Sequence, residues 1–224
     1  ASAALAVTSY LGMDSPVAVL AGDTGQGKGS RELYEYLIEN VPALQPDVLA
    51  LHYWLPDREQ TRRLGDAVKK MKKKPVLIAD AASMYSAKLA GLAPFFDIFT
   101  PDAAETAFLA DADAPHPAYV KFMMYNNMDR TEEIIHTAYR LGNASQLMLV
   151  KGKTDYIVVN DNIVATVNEP DIPAMEAIGG TGDTITGMVA AFCSAGLKPR
   201  EAALLAARAN RAAGLAARVT PATR

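Results

Sequence analysis

Gly179-Gly180-Thr181-Gly182-Asp183-Thr184-Ile185-Thr186-Gly187-Met188-Val189 is the stretch that decides the fold, because it joins a glycine-rich turn to the start of a long helix predicted over Gly182–Ala195. Glycines allow successive backbone N–H groups to turn toward one ligand, and a helix start adds free donors and a positive dipole end. Asp183 sits one residue from that cradle, where a carboxylate could take a proton from an attacking hydroxyl. The same residues also describe a plain capped helix, with Thr181 or Asp183 as N-cap and the glycines there for close packing. Taken alone, the stretch leaves both readings open.

Immediately upstream, Leu147–Lys151, Tyr156–Asn160 and Ile163–Val167 read as strands. Asp161-Asn162 separates the last two, which predicts a β-hairpin extending a sheet antiparallel. Further back, strand-like and helical runs alternate: Val17–Ala21 with Ser30–Asn40, Asp47–His52 with Arg58–Lys73, Pro75–Asp80 with Ser83–Ala90, and Phe96–Thr100 with Ala103–Ala110. Parallel strands need crossovers long enough to hold a helix, so this alternation predicts a mostly parallel sheet covered by helices on both faces. Ligands then sit at the C-terminal edge of the strands. A helix over Arg130–Leu141 stops at Gly142-Asn143, and another over Pro199–Val219 follows Gly196. The last two helices are Ala-rich and should pack closely through small residues. No repeat or linker divides the chain, which predicts a single domain over 1–224.

The 224 residues carry 22 Lys plus Arg against 25 Asp plus Glu, a net charge of −3, and half are apolar. That balance excludes disorder and gives no footprint for nucleic acid or an anionic membrane, so the expected partner is a small molecule. One cysteine, Cys193, makes no internal disulfide and reads as a buried apolar group; three scattered histidines lack metal-ligand spacing. There is no run of 18 apolar residues, and Ala1–Leu11 lacks the positive start of a signal peptide, so neither spanning nor export is expected and the location predicted is cytoplasmic. Lys69, Lys70, Lys72, Lys73 and Lys74 close a helix, where cations complement the dipole and stay solvated. Met123, Met124 and Met128 read as core filler, while His52, Tyr53 and Trp54 suit packing and a pocket equally.

A second glycine-rich turn, Gly22-Asp23-Thr24-Gly25-Gln26-Gly27-Lys28-Gly29-Ser30, nearly matches a P-loop. It lacks the hydroxyl residue after Lys28 that would hold Mg²⁺, and its glycines miss the dinucleotide spacing by one residue. The turn is expected to line a ligand in some other way.

Gly179–Val189 resembles the C-terminal signature of the ADP/ATP-dependent NAD(P)H-hydrate dehydratases, with Ile185 where Leu is usual. In the order that family shows, Pro75–Ala81 resembles the strand ending in an acidic step and Thr100-Pro101-Asp102-Ala103-Ala104-Glu105 resembles the Thr-Pro-His-x-x-Glu segment. Val150-Lys151-Gly152 with Thr154 resembles the Lys-Gly-x-x-Thr strand end, so the likeness runs from about residue 17 to 217. It implies a ribokinase-like α/β fold, a three-layer α/β/α sandwich with a mostly parallel sheet and the antiparallel hairpin near 155–167. It also implies that ATP or ADP, bound over Gly179, Gly180, Thr181 and Gly182, donates a phosphoryl group to a substrate hydroxyl with Asp183 as base; phosphate is then eliminated. Glu105 would hold Mg²⁺ through water, Lys151 and Thr154 would lie beside the nucleotide, and Asn210 would line its base. Gly22, Asp23, Gly25, His52, Asp80 and Asp102 would face the substrate.

Two departures bear on the acceptor. The family's Gly-Pro-Gly-Leu-Gly turn is replaced by His52-Tyr53-Trp54-Leu55-Pro56-Asp57, and its Thr-Pro-His histidine by Asp102. The acceptor can thus be NAD(P)H hydrate or a small alcohol or sugar. The alternative functions are a ribokinase-like kinase of a sugar, alcohol or vitamin precursor, and a non-catalytic nucleotide-binding protein. Small-residue helices on the surface would allow a homo-oligomer.

Overall fold

The computed structural model describes residues 1–120 and 130–223. Met123, Met124 and Met128 lie outside the described residues. Among the described residues six strands form one sheet in sequential order: β1 (Val48–His52), β2 (Val76–Asp80), β3 (Ile98–Phe99), β4 (Leu147–Val150), β5 (Asp155–Val159) and β6 (Asn162–Val167). The first four pair in parallel, and β5 and β6 return antiparallel as the hairpin expected around Asp161-Asn162.

Side chains alternate across a strand, so each strand divides its apolar residues between two cores. Leu77, Ala79, Phe99, Met148 and Val150 face one core, covered by α2 (Lys28–Leu44), α3 (Arg58–Lys69), α4 (Ala82–Ala90), α5 (Ala103–Leu109) and α6 (Thr131–Arg140). Ile78, Ile98, Leu147 and Leu149 face the other, covered by α7 (Thr181–Ser194) and α8 (Pro199–Ala216). This is the three-layer α/β/α sandwich expected from the alternation. No helix among the described residues is long and apolar enough to cross a membrane.

The helices start where local chemistry allows. Asp57 caps α3 by accepting the Gln60 amide at 2.9 Å, and Thr61, Leu64, Ala67 and Val68 form its buried stripe. The helix ends at Lys69 rather than Lys73, so of the lysine run only Lys69 lies in its last turn; Lys69, Lys73 and Lys74 pair with Asp66, Asp47 and Asp97. Cys193 is buried on α7, and burial pushes its thiol up to about 11, in keeping with an inert apolar role. Trp54 is buried and stacks on Tyr34 with ring centroids 4.2 Å apart, so it packs, whereas Tyr53 next to it is exposed.

Two features differ from expectation. Val17–Ala21 forms no strand, and Val17 and Leu20 are 92% and 83% exposed. A strand needs a ladder partner, and this segment is stretched between two anchors. On one side α1 (Ser2–Tyr10) packs on α7; on the other, Gly22 lies so close to α2 that a Cβ on Gly29 would come within 2.3 Å of its carbonyl oxygen. The other difference is α1 itself, whose Ala3 and Ala4 lie against Gly187, where a Cβ would meet the Ala4 nitrogen at 3.1 Å. The small-residue packing expected between the last two helices thus extends to a third.

Arg211, buried on α8, ties the second core to the hairpin. Its Nε donates to Asp155 at 2.8 Å, and its terminal nitrogens donate to the carbonyls of Gly152 and Lys153 at 2.8 and 2.9 Å and reach those of Asn168 and Pro170. The planar guanidinium satisfies five acceptors at once, which a lysine ammonium would not. Arg211→Leu leaves Asp155 buried and unpaired, so it should lower unfolding free energy by about 3–5 kcal/mol. Denaturant titration checks this; Arg211→Lys is expected to recover only a small part of the loss.

Candidate active site

The period of two places one residue from each parallel strand end on the α7 face. His52 shares it with Val48, Asp80 with Ile78, Thr100 with Ile98, and Lys151 with Leu149. His52 and Asp80 are direct register partners on β1 and β2. These groups meet the first turns of α7, which crosses the C-terminal edge of the sheet.

Asp80 is the hub of this group. It is 1% exposed, and its Oδ1 accepts from Lys151 Nζ and from the Ala81 amide, each at 3.0 Å. Its Oδ2 accepts from the Thr186 hydroxyl at 2.6 Å, and Thr186 in turn meets Thr100 at 2.9 Å. Burial, the largest influence on Lys151, disfavours its charge, but Asp80 and Glu105 together outweigh it and hold the ammonium above its usual range. Lys151 also lies beneath the glycine turn: a Cβ on Gly182 would sit 3.4 Å from Nζ.

Above this base the N-terminus of α7 is open. Gly180, at φ 90°, supplies the left-handed turn, and among the described residues no side chain caps the helix. The Thr181 hydroxyl points back to the carbonyls of Met175 and Ile178, and among the described residues the amides of Gly182 and Asp183 have no backbone acceptor. Asp183 is not an N-cap; its side chain is 51% exposed, with Oδ2 3.6 Å from His52 Nε2. The other ring nitrogen of His52 faces Asp80 Oδ2 at 3.9 Å, so the three side chains form one cluster.

Glu105 and Asp102 form a reciprocal capping box at the start of α5: the Glu105 amide donates to Asp102 at 2.8 Å, and the Asp102 amide donates to Glu105 at 2.9 Å. Glu105 is buried and also accepts the Tyr85 hydroxyl at 2.8 Å. Burial, then the neighbouring Asp102 charge, pushes its carboxyl up to about 7 although Lys151 pulls the other way.

The remaining sequence-predicted residues are placed differently. Asp23 accepts the amides of Gly25 and Gly27 at 3.0 and 2.9 Å and both the amide and hydroxyl of Ser30, so the turn from Gly22 folds around its own carboxylate. Burial works against the Asp23 charge, but those donors outweigh it and hold its pKa below the ordinary value. The Ser30 hydroxyl also accepts the Leu55 amide, tying this turn to the loop that follows His52. Asn210 accepts the Thr184 hydroxyl across the α7–α8 contact, and Thr154 lies half-buried on the loop between β4 and β5. Sequence reading missed Thr186 and Thr100; their positions, six residues after Gly180 and two after Ile98, follow from helix and strand periods once Asp80 is taken as their shared partner.

The NAD(P)H-hydrate dehydratase family signature matches residues 34–223. The chain belongs to that family. An uncharacterized protein of Methanocaldococcus jannaschii is 37% identical over 222 residues, covering 99% of this chain and 91% of that protein. An ADP-dependent (S)-NAD(P)H-hydrate dehydratase of Nitrosopumilus maritimus is 42% identical over 67 residues, 30% of this chain and 22% of that enzyme. The dehydratase-family fold here is ribokinase-like: the pyridoxal kinase of Bacillus subtilis, solved as an ADP complex, superposes with a TM-score of 0.63 at 16% identity, covering 92% of this chain and 82% of the kinase.

The raised pKa of Glu105 has a definite sign. Between its ordinary value of 4.5 and about 7, the folded chain keeps a proton the unfolded chain has released, so stability falls as pH rises through that window and is level above it. Glu105→Gln preserves the capping box and removes the buried charge. It should flatten this slope and raise unfolding free energy above pH 7 by up to about 3 kcal/mol, measured by denaturation across pH.

Proposed function

We propose that this chain is an ADP- or ATP-dependent dehydratase of NAD(P)H hydrate, acting in the cytoplasm, where such nucleotides are held. One observation carries the reading: the exposed Asp183 carboxylate is the third residue of a helix whose N-terminus has no side-chain cap among the described residues, with the Lys151 ammonium beneath the same turn. A nucleotide supplies a terminal phosphoryl group. The free amides of Gly182 and Asp183, the positive end of α7 and Lys151 are suited to its phosphates and to charge developing during transfer. Asp183 takes the proton of the attacking hydroxyl, and its exposure lets a substrate reach it from solvent.

Mg²⁺ fits as a hydrated ion rather than a directly bound one. Each Glu105 oxygen already accepts one hydrogen bond, which leaves lone pairs for a metal-bound water. Glu105, with Asp102 beside it, would hold the ion in this way, and the ion would neutralise phosphate charge. The substrate side is formed by the loop from His52 and by the Gly22, Asp23, Gly25 turn tied to it through Ser30 and Leu55. Thr154 and Asn210 are assigned to the nucleotide side.

Asp183→Asn keeps the shape and removes the base. It should bind ADP or ATP as the unsubstituted protein does while turnover of NADH hydrate, followed by the recovered reduced-nicotinamide absorbance, falls about 10²–10⁴-fold. Full activity in this variant would exclude Asp183 as the base. A phosphorylated product that persists with the unsubstituted protein would mark a kinase instead.

A further inference from the structure

Dehydration of a hydrate removes two protons from the substrate, one from oxygen and one from carbon, whereas phosphorylation of an alcohol removes one. A hydrate of a dihydropyridine carries H and OH added across a ring double bond. Restoring that bond removes the hydroxyl, here as phosphate, and also a proton from the adjacent carbon. Asp183 becomes a carboxylic acid when it takes the hydroxyl proton, and a second group beside it can accept the proton from carbon before Asp183 has returned its own to water.

Resting on the dehydratase reading, we infer that His52 is this second base. Its Nε2 lies 3.6 Å from Asp183 Oδ2, so a substrate whose hydroxyl meets Asp183 brings its neighbouring carbon to the imidazole. Its side chain is 36% exposed on the open side of the cluster, while its other nitrogen faces the buried Asp80 at 3.9 Å. That carboxylate is fixed by Lys151, Thr186 and the Ala81 amide, so at this distance it acts through its charge, which favours the imidazolium that forms. The Tyr53 ring stands edge-on to the imidazole at 5.0 Å and covers another side. In the step itself, the C–H electron pair becomes the ring double bond, the C–O bond to phosphate breaks with its electrons leaving on phosphate, and the proton passes to Nε2 and then to water.

The test separates the two steps. The unsubstituted protein, His52→Gln and His52→Asn are each mixed with NADH hydrate and ADP or ATP, and nucleotide consumed, phosphorylated hydrate and NADH are quantified over time by mass and absorbance. The unsubstituted protein should form NADH one-for-one with nucleotide consumed. In the His52 variants nucleotide consumption should continue in the first turnover while NADH formation lags at least 10-fold, with phosphorylated hydrate accumulating. Retention of the nucleotide-induced rise in melting temperature identifies a folded variant, and the Asn variant serves if the Gln variant does not fold. One-for-one coupling in the variants, at any rate, overturns the role of His52 alone. Absence of NADH formation by the unsubstituted protein overturns this inference together with the dehydratase reading.

Discussion

The arrangement depends on one buried carboxylate. Asp80 ends β2 inside the protein, and desolvating such a charge costs several kcal/mol unless donors replace the lost water. Lys151, just after β4, Thr186 from α7 and the adjacent Ala81 amide supply them. Each donor comes from a different part of the chain, so satisfying Asp80 fixes the distance between two strands and the first turns of α7. The same bond brings the Lys151 ammonium under the glycine turn. A buried ion pair is weak evidence for added stability, and its consequence here is position: cation, uncapped helix and exposed carboxylate are held at one sheet edge.

The two glycine-rich turns show opposite uses of an aspartate. Asp23 turns inward and takes the amides of Gly25, Gly27 and Ser30, so those donors are committed to the loop. Asp183 takes no backbone amide among the described residues, where its own amide and that of Gly182 stay open, and it keeps its oxygens exposed beside His52. The first turn, for all its near-match to a P-loop, therefore offers no phosphate cradle from those three amides, and the open amides lie in the second.

Strand and helix periods were strong enough in the sequence to place β1 through β6 and the helices from α2 onward, because each apolar run is bounded by Gly, Pro or a capping residue such as Asp57. Val17–Ala21 has the same local pattern as β1, but its outcome depends on whether a ladder partner is within reach, and local composition carries no information on that. α1 escaped notice because Ala3 and Ala4 give little periodic signal; their role is a close approach to Gly187, visible only in three dimensions. The site divides in the same way. Gly179–Asp183 announced itself as a motif, and Lys151, Asp80 and Glu105 came through family likeness. Arg211, Thr186 and Thr100 are ordinary polar residues in sequence, and only their convergence on Asp155 and Asp80 gives them meaning.

The most direct test of the central claim is a crystal structure with ADP and Mg²⁺ bound. The phosphates should lie within hydrogen-bonding distance of the Gly182 and Asp183 amides and beside Lys151 Nζ, with the Asp80–Lys151 pair intact. Phosphates bound instead at the turn from Gly22 to Ser30, with the start of α7 left bare, would contradict it.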